Sequence, residues 1–299
     1  MRRLTSTVAA VVLAGALLHG QARTRLVLLG TGTPNADPDR FGPSVAIVVD
    51  DASYLVDFGV GVVRRAAAAE RAGIKALGVT NLKLAFATHL HSDHTLGLSD
   101  LIFSPWVLDR EVPLSVYGPR GLRAMANHLV AAYADDLRVR STGGEPAHKY
   151  DPRKVDVHEV TPGVIYRDPR VTVTAFAVNH GAWPQAFGYR FQTPDRTVVV
   201  SGDTGPESHI EDQCQRCDVL VHEVYSEAGF ANRPPEWRAY HSRYHTSSRQ
   251  LAAIASRARP GLLVLYHQLM WSTTEDELLA EVRSAYDGKV VSGHDLDIY

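Results

Sequence analysis

The sequence predicts an α/β protein in which two β-sheets pack together and helices cover their outer faces. After residue 22, apolar β-rich runs alternate with segments of helical composition, and this arrangement occurs twice along the chain. Each half has a β-rich section followed by strand–helix alternation. Because this order occurs twice, it favours two β-sheets over a single one. No low-complexity tract or flexible linker interrupts the pattern. We therefore predict one continuous domain over residues 23–299, built from two similar halves.

The first half is predicted to begin with three strands. These are the apolar runs RLVLLG, SVAIVVD and SYLVDFG, and the short turn Asp50–Ala52 joins the last two as a hairpin. The Ala-rich stretch VVRRAAAAERAG has helical composition and stops at Gly73. We expect next the strand LKLAFAT, a helix around residues 96–103, the strand LSVYG and the helix GLRAMANHLVAAYADD.

The second half is predicted to repeat this arrangement. Its β-rich section contains KVDVHEV, VTVTAFAV, FGYRFQT and RTVVVSGD, separated by turn residues. A helix near GPESHIEDQC, the strand CDVLVHEV and an aromatic, Pro-containing stretch come next. The chain then ends with the helix TSSRQLAAIASRA, the strand GLLVLYH and the helix TEDELLAEVRSAY.

The N-terminus has the pattern of a secretory signal peptide. Arg2 and Arg3 precede an apolar run over residues 8–18, and small residues follow it. The run is short for a membrane span, which needs ~20 residues; an uncleaved anchor is the alternative. We predict a signal peptide over residues 1–22 and an exported protein, periplasmic or secreted, with no membrane contact after cleavage.

Composition and charge argue against two classes of protein. The formal net charge is −2 and the pI is near 6.7, so no overall basic field favours binding of a polyanion. Cys214 and Cys217 are the only two cysteines, so a disulfide framework is not expected. Their C-x-x-C spacing suggests a redox or zinc-knuckle role, but no second pair exists and Cys217 opens an apolar strand.

The stretch THLHSDH contains four candidate metal ligands within six positions. They are His89, His91, Asp93 and His94, in the pattern H-x-H-x-D-H. A lone histidine here would more often be an ordinary core or surface residue. Burial of four such groups without partners would cost several kcal/mol, since unpaired polar groups lose their hydration. The motif therefore predicts a metal site at the end of a strand.

Neighbouring ligands cannot enclose an ion alone, so distant residues are needed to complete the site. His180, Asp203 and His267 each come directly after an apolar run and are expected to project from the same sheet edge. Together with the cluster, these ligands are too many for one tetrahedral zinc ion. They suit two ions that share a carboxylate and a water.

In this order, THLHSDH, Asn179-His180, SGDT and LYH resemble the metallo-β-lactamase superfamily, from about Leu26 to the C-terminus. The resemblance implies an αββα sandwich, a four-layer α+β form of the α/β class, in which helices flank two mixed β-sheets. It also implies two zinc ions per chain at one sheet edge. The implied ligands are His89, His91 and His180 for the first zinc, Asp93, His94 and His267 for the second, and Asp203 bridging both. β-Lactamases of the main group have cysteine at the Asp203 position and lack the last histidine of the cluster, so β-lactam hydrolysis is not expected.

Four further stretches resemble the ribonuclease Z branch of this superfamily. They are VHEVY, YHTSSRQLAAIA, LLGTGTP and YLVDFGVG. The branch includes tRNA 3′-end endonucleases, zinc phosphodiesterases and a group of arylsulfatases. By this resemblance Glu223 and His245 form a proton-delivery pair, and Asp93 is the third candidate catalytic residue.

Three nearby residues have alternative interpretations. His222 is expected to be a strand histidine that faces the core. His241 lies one helical turn before His245 and could compete for the proton-delivery role if this segment is helical. Asp57 is expected either to hydrogen-bond a ligand histidine or to serve a structural turn.

Departures from the tRNA-processing enzymes shape the expected substrate. Those enzymes carry a long arm between the GYR strand and SGDT, where this chain has only FQTPDRTVVV, a predicted hairpin. Aromatic residues flank the ligand motifs and suit an aryl or otherwise apolar ester. They are Trp183, Tyr225, Phe230, Trp237, Tyr240 and Trp271.

The sequence therefore predicts an exported dinuclear zinc hydrolase that cleaves small phosphodiester or aryl sulfate esters with a hydroxide bridging the metals. The alternatives are an RNA or cyclic-nucleotide phosphodiesterase, a lactonase and, from another class, a non-catalytic zinc-binding module. The expected partner is a small-molecule ester, and nucleic acid is disfavoured by the charge and the predicted export. Related enzymes are often dimers, so a homodimer stays open, although no stretch of the sequence indicates an interface.

Overall fold

Two mixed β-sheets, built to the same plan, form the centre of the computed structural model. The structure describes residues 23–299, and the predicted signal peptide over residues 1–22 lies outside the described residues. In each sheet an antiparallel section is followed by a parallel one. This repetition confirms the predicted fold class of two mixed sheets flanked by helices.

The first sheet has the strand order β1-β2-β3-β4-β5-β6, which is also the chain order. The strands β1 to β3 are antiparallel, and β3 to β6 are parallel. Their bounds are Thr24–Gly30 (β1), Ser44–Val49 (β2), Ala52–Val56 (β3), Leu84–Phe86 (β4), Ser115–Gly118 (β5) and Asp156–Glu159 (β6).

The second sheet has the order β13-β12-β11-β10-β9-β8-β7. Here β7 to β10 are antiparallel and β10 to β13 are parallel. The bounds are Gly163–Arg167 (β7), Thr172–Ala177 (β8), Phe187–Gln192 (β9), Thr197–Val200 (β10), Val219–Tyr225 (β11), Leu262–Leu269 (β12) and Val290–Ser292 (β13).

The helices lie in the connections between strands. They are Val62–Arg71 (α1), Ser92–Thr95 (α2), Leu98–Val107 (α3), Leu122–Ala132 (α4), Ala134–Thr142 (α5), Ser208–Cys214 (α6), Glu227–Ala231 (α7), Pro235–Tyr244 (α8), Ser248–Ala258 (α9) and Glu275–Arg283 (α10). Within the described residues, none of them has the length and apolar character that crossing a membrane requires.

Three hydrophobic clusters hold these layers together. The central cluster joins the inner faces of the two sheets, with Phe86 of β4 against Tyr189 and Phe191 of β9. A second cluster packs α1, α3 and α4 on the outer face of the first sheet. The third packs α6, α9 and α10 on the outer face of the second sheet. Burial of apolar surface on both faces of each sheet explains the near-continuous hydrophobic runs in the parallel strands.

The structure differs from the expected elements in several places. The strand β7 was not expected, and the aromatic stretch forms α7 and α8. The helix predicted around residues 96–103 is α3, which begins and ends later, and the separate short helix α2 precedes it. Cys214 and Cys217 form a buried disulfide across the turn between α6 and β11. The bond closes only this local turn, so it does not frame the fold.

The predicted hairpin between the GYR strand and SGDT is present. Strands β9 and β10 pair antiparallel, with Gln192 opposite Thr197, and only residues 193–196 connect them. No long arm leaves the sheet at this point.

The site is positioned where the carboxyl ends of β4, β8 and β10 come together with β12. Strands β8, β10, β11 and β12 run in the same direction, so their ends share one edge. The backbone N–H of Phe187 donates to the carbonyl of Thr88 (2.9 Å), which joins the second sheet to the segment after β4. This contact brings the ligand motifs of the two sheets side by side.

Candidate metal centre

The H-x-H-x-D-H motif lies between β4 and the short helix α2. His89 follows β4, His91 has extended backbone, and α2 begins directly after His91 and carries Asp93 and His94. The side chains of His89 and His94 are completely buried. The change from extended to helical backbone turns all four side chains towards one point.

The distant candidates reach the same point from the second sheet. His180 follows β8 and Asp203 follows β10, as expected. His267 differs from expectation because it lies inside β12 and not after it. Across β12 and β11, Tyr266 pairs with Glu223 and Gln268 with Val224, so His267 is an unpaired bulge residue with φ of 43°. The bulge re-aims this side chain, which is a common use of bulges beside active sites.

The structure brings all seven predicted ligand residues together. Two groups have potential ligand atoms within 4.8 Å of one another: His89, His91, His180 and Asp203 form one, and Asp93, His94 and His267 form the other. Asp203 lies between the groups. Its Oδ2 is 4.0 Å from His89 Nε2 and 3.4 Å from His94 Nε2.

The donor atoms fit metal ions. His94 Nε2, Asp203 Oδ1 and His267 Nδ1 are buried and have no hydrogen-bond partner in the described part of the chain. Such unpaired buried atoms are unfavourable unless an ion or water binds them. The separations of neighbouring donor atoms, 2.9 Å for His89 Nε2 to His91 Nδ1 and 3.6 Å for His267 Nδ1 to Asp203 Oδ1, bracket the ~3.3 Å edge of a tetrahedron around zinc.

Hydrogen bonds behind the cluster orient the histidine rings. His94 Nδ1 donates to Asp57 Oδ2 (2.8 Å), and His180 Nδ1 donates to the Tyr244 carbonyl (2.8 Å). His89 Nδ1 donates to Thr88 Oγ1 (3.0 Å). In each ring Nδ1 therefore carries a proton, and Nε2 faces the centre. Such outer partners are typical of metal-binding histidines.

Asp57 has both roles that the sequence left open. Its φ is 58°, so it forms a left-handed turn after β3. Its carboxylate accepts from the backbone N–H of Thr88 (2.7 Å), the Thr88 hydroxyl (2.9 Å) and His94 Nδ1. Thr88 was not anticipated, although its place directly before the first ligand is an indication in the sequence.

His91 has a different arrangement. Its Nδ1 faces His89 Nε2 and His180 Nε2 (3.1 Å), while Trp183 Nε1 donates to its Nε2 (2.8 Å). An indole N–H can only donate, so His91 carries its proton on Nδ1 in this arrangement. Binding of an ion through Nδ1 therefore requires the indole to move away.

Opposite charges are balanced inside the cluster. Burial alone would lower the pKa of His94 and His267, but nearby carboxylates, Asp203 foremost, raise both pKa values above the usual one. Burial would raise the pKa of Asp203, but His267 and His94 hold it well below the usual range. Burial lowers the pKa of His180 to about 3, so this histidine is neutral at pH 7. Metal ions can replace the protons on His94 and His267, since both are charge-compensating cations.

Glu223 and His245 form a pair beside the cluster. Glu223 lies on β11 with no exposed surface; its Oε1 accepts from the Thr246 backbone N–H (2.7 Å), and its Oε2 is 3.2 Å from His245 Nδ1. Burial and the Asp203 carboxylate raise the pKa of Glu223 well above its usual value. Burial lowers the pKa of His245 to about 4. Both shifts favour neutral forms, so the pair holds a proton between Glu223 Oε2 and His245 Nδ1.

His245 is also close to the metal ligands. Its Nδ1 is 4.0 Å from Asp203 Oδ2, and Asp203, His245 and His267 form a third group with donor atoms within 4.8 Å. Its Nε2 makes no hydrogen bond with any residue from 23 to 299. The pair therefore borders the metal centre with one ring nitrogen bound to Glu223 and one available.

The two other histidines of this region lie outside the pair. His222 is completely buried in β11, and its Nδ1 contacts the backbone carbonyl of Glu223 (2.6 Å). His241 lies in α8, so the segment is helical, but neither of its ring nitrogens has a partner among the described residues. It is His245, at the end of α8, that contacts Glu223.

The predicted aromatic wall is divided into two parts. Trp183 lies at the metal edge, with its ring centroid 5.0 Å from that of His91. Around α7 and α8, Trp237 stacks on His241, and Trp271 is 4.7 Å from His241. Tyr225 and Phe230 stack on each other next to Trp271. Only Trp183 of these residues contacts a predicted ligand directly.

Comparison with known proteins finds a matching family model and similar sequences. A family model described as "Beta-lactamase superfamily domain" matches residues 53–268. The chain is 33% identical over 279 residues to a protein named ribonuclease Z from Mycobacterium bovis (strain BCG / Pasteur 1173P2). The alignment covers 91% of this chain and 96% of that relative.

Solved structures share the fold. A metallo-β-lactamase fold protein from Bacillus subtilis superimposes with a TM-score of 0.68 at 18% identity, covering 92% of this chain and 98% of the other. The short form of human tRNase Z superimposes with a TM-score of 0.66 at 20% identity, with the same coverage of 92% and 98%. These identities are low, so the two structures support the architecture and not a substrate.

Proposed function

The chain belongs to the metallo-β-lactamase superfamily, and from this we propose that it is a dinuclear zinc phosphodiesterase of the ribonuclease Z type, acting on RNA or nucleotide phosphodiesters. One observation carries the proposal: the buried pair Glu223–His245 borders the centre at which the ligands from both sheets converge. The overall identity of 33% to a protein named ribonuclease Z supports this choice of bond. A non-catalytic zinc-binding module would have no use for a buried proton-holding pair at this position.

The two groups of ligands would each hold one zinc ion, with Asp203 between them. When bound, the ions supply hydroxide at neutral pH and stabilise negative charge on the phosphoryl oxygens. His89 and His180 are oriented for this by the outer hydrogen bonds of their Nδ1 atoms. Asp93 accepts from His267 Nε2 (3.2 Å), and this contact aligns both side chains at the second group.

His245 and Glu223 act on the leaving oxygen. As the phosphorus–oxygen bond breaks, the His245 Nε2 proton passes to the leaving oxygen, and the Glu223 proton passes to His245 Nδ1. The product is an alcohol, a neutral imidazole and a Glu223 carboxylate, so the protons balance. The carboxylate is held by the backbone N–H of Thr246 until it is reprotonated.

The choice of substrate class differs from the sequence expectation of a small ester. The short β9–β10 connection was an argument against RNA. The alignment with the ribonuclease Z relative covers 96% of that protein, so it has no room for a large segment that this chain lacks. The absence of an arm therefore does not separate this chain from proteins of that name.

A small aryl phosphate or sulfate ester is the second candidate. The observation that favours it is a cavity of about 320 Å³ beside Trp183, lined also by Pro119 and Pro184. The faces of the indole and the proline rings suit the ring of an aryl leaving group, and Arg120 and Gln185 form the polar part of the lining. Lactones are the third substrate class to include in an assay.

The zinc-loaded protein should cleave a tRNA precursor with a 3′ trailer and bis-p-nitrophenyl phosphate, and should act more slowly on p-nitrophenyl sulfate and a lactone. His245→Ala should lower the rate on RNA by roughly 100-fold, a usual contribution of a general acid. The loss should be smaller on bis-p-nitrophenyl phosphate, because p-nitrophenolate leaves without protonation.

His241→Ala is the matched control, since this histidine lies one helical turn away and does not contact Glu223. It should retain nearly the full rate on both phosphodiesters. Absence of activity on every phosphodiester, with both ions bound, would refute the proposed function. Turnover of the sulfate ester alone would establish the second candidate in its place.

A further inference from the structure

A cavity of about 510 Å³ lies beside the metal centre and is not explained by the catalytic residues. It is bounded by the loop after β1, by the segment from α7 to the connection before α8 and by the end of β12 with the residues after it. Its lining includes Thr33, Arg233, Gln268 and Trp271. Gln268 directly follows the ligand His267. The cavity therefore lies against the same strand, β12, that carries this ligand.

The same loop connects the cavity with the metal edge on its other side. Thr33, Asp37 and Arg40 also line a second cavity of about 370 Å³, whose wall includes the predicted ligand Asp93. A chain-like substrate that passes over the metal centre could follow this loop. The part of the substrate on one side of the cleaved bond would then reach Arg233.

Arg233 presents a charge that no other side chain of the described residues, 23–299, neutralises. Its Nε atom is buried and has no partner among residues 23–299, and no carboxylate in that range forms an ion pair with it. The other arginine of the cavity, Arg40, is paired with Glu275 (2.7 Å). Asp37 is the acidic residue of the lining, and it lies on the opposite loop. A half-buried guanidinium without an acceptor is a favourable place for an anion.

Two indole rings hold this guanidinium in place. Its Cζ atom is 5.5 Å from the ring centroid of Trp237 and 5.4 Å from that of Trp271. Cation–π contacts with both rings restrict the side chain without using its N–H groups. The planar fork therefore stays available for two parallel hydrogen bonds to a tetrahedral oxyanion.

We propose that this cavity is a subsite for a second phosphate of the substrate, one that is not cleaved, and that Arg233 binds it. The inference rests on the phosphodiesterase function proposed above, and it makes oligonucleotides and phosphorylated nucleotides better substrates than simple diesters. This phosphate is either a terminal phosphate or a phosphodiester between two nucleotides. Both kinds present anionic oxygens to Arg233.

The test compares three dinucleotides on the zinc-loaded protein: ApA, pApA with a 5′-phosphate and ApAp with a 3′-phosphate. At least one phosphorylated form should have a KM about 10-fold lower than ApA, the size of one charge-assisted hydrogen-bonded contact. Arg233→Gln should remove this advantage and leave kcat unchanged. Arg233→Lys should restore only part of it, because lysine keeps the charge and loses the fork.

Arg238→Gln is the matched control, since Arg238 is an exposed arginine close by in the chain, on α8. It should retain the preference for phosphorylated dinucleotides, and bis-p-nitrophenyl phosphate should show equal KM values in all variants. If ApA, pApA and ApAp have equal KM values in the native protein, or if Arg233→Gln keeps the preference, the subsite is refuted.

A binding measurement separates this proposal from the proposed function. AMP is titrated into the zinc-loaded protein, and binding is followed by the tryptophan fluorescence that Trp237 and Trp271 contribute. Affinity should fall about 10-fold in Arg233→Gln and stay unchanged in Arg238→Gln. If no diester is turned over, the proposed function fails, and this titration still decides the subsite. Equal AMP affinity in Arg233→Gln and the native protein would overturn it.

Discussion

At the scale of single residues, Asp57 organises the metal centre without being one of its ligands. Its carboxylate accepts from Thr88 and from His94 Nδ1, and the Thr88 hydroxyl in turn accepts from His89. One buried side chain thus sets the proton positions of a histidine from each ligand group. Because the Asp57 carboxylate fixes His94 directly and His89 through Thr88, both imidazole rings present Nε2 to the centre.

Asp57→Asn should weaken metal binding by roughly 10- to 100-fold, the usual effect of losing a carboxylate behind a ligand histidine. Asparagine tolerates the φ of 58° at this position, so the fold should be retained. Zinc affinity measured by competition with a chelator, together with a circular dichroism spectrum, checks both statements.

Asp50→Asn is the control for this variant. Asp50 also has a left-handed backbone, with φ of 54°, but it lies in the exposed turn between β2 and β3. Its substitution should leave zinc affinity unchanged. Equal affinities for Asp57→Asn and the native protein would show that the carboxylate does not orient the ligands.

The sequence predicts the ligand residues better than their partners. The H-x-H-x-D-H spacing is local, and polar residues after apolar runs are visible without a structure. The contacts of Trp183 with His91 and of Arg233 with two tryptophans join residues far apart in the chain. Nothing in a single sequence indicates such pairings, because they depend on how the loops fold back on the sheets.

At the scale of elements, Gly202 permits the close approach of two ligand-bearing segments. It lies between β10 and Asp203, with φ of 63°. A Cβ atom at this position would lie 2.8 Å from Thr88 Cβ and 2.9 Å from the Phe187 carbonyl oxygen. Because Gly202 has no side chain, the segment after β10 can approach the segment after β4 this closely.

Gly202→Ala should destabilise the protein by more than the ~1 kcal/mol that a left-handed alanine costs. The added methyl group must also displace Thr88 or Asp203, so zinc occupancy should fall as well. Thermal unfolding and metal analysis of the purified variant measure the two effects.

Gly73→Ala separates backbone strain from crowding. Gly73 has φ of 108°, but a Cβ atom there would have no neighbour within 4 Å. This variant should lose about 1 kcal/mol and retain full zinc occupancy. If Gly202→Ala behaves in the same way as Gly73→Ala, the close approach has no role in forming the site.

Strands and helices with a clear apolar pattern in the sequence occur where they were predicted. Elements without such a pattern were missed or placed differently. Most residues of β7 are at least partly exposed, so its sequence lacks the alternation that indicates a strand. The Pro-containing segment before His245 was given no predicted element. It contains α8, and Pro235 occupies the first turn of this helix, where proline is tolerated. The bulge at His267 arises from pairing with β11, which no local pattern in β12 reveals.

At the scale of the whole molecule, the metal centre joins the two sheets. Each group of ligands takes residues from both: His89 and His91 follow β4 of the first sheet, and His180 follows β8 of the second. The other group is divided in the same way between α2 and β12. Each ion would therefore connect segments that are distant in the chain.

Removal of zinc should lower the melting temperature. An ion at one hundred times its dissociation constant contributes about 2.7 kcal/mol, so loss of both should shift Tm downwards by roughly 5–10 °C. Differential scanning calorimetry before and after dialysis against a chelator measures this shift. His94→Ala should bind about one ion fewer per chain and show a smaller shift. Equal Tm values with and without zinc would contradict the idea that the ions link the sheets.

The fold class followed from the repeated order of strands and helices, whereas the predicted export has no structural counterpart within residues 23–299. It remains a prediction that N-terminal sequencing of the protein from its host would check. A mature protein that still begins with Met1 would contradict it. The substrate class could not be read from the chain's net charge, because a net charge of −2 does not show that the cavity beside the metal centre contains an unpaired arginine.

The division of the ligands between the sheets has a consequence for how the protein matures. Neither half of the chain contains a full set for either ion, so a nascent chain that has emerged only as far as β6 cannot retain zinc tightly. Uptake of the proposed ions would therefore come late, after the second sheet has docked on the first. An incompletely synthesised or misassembled chain would stay without metal, and the proposed hydrolytic activity would be confined to molecules that have finished folding.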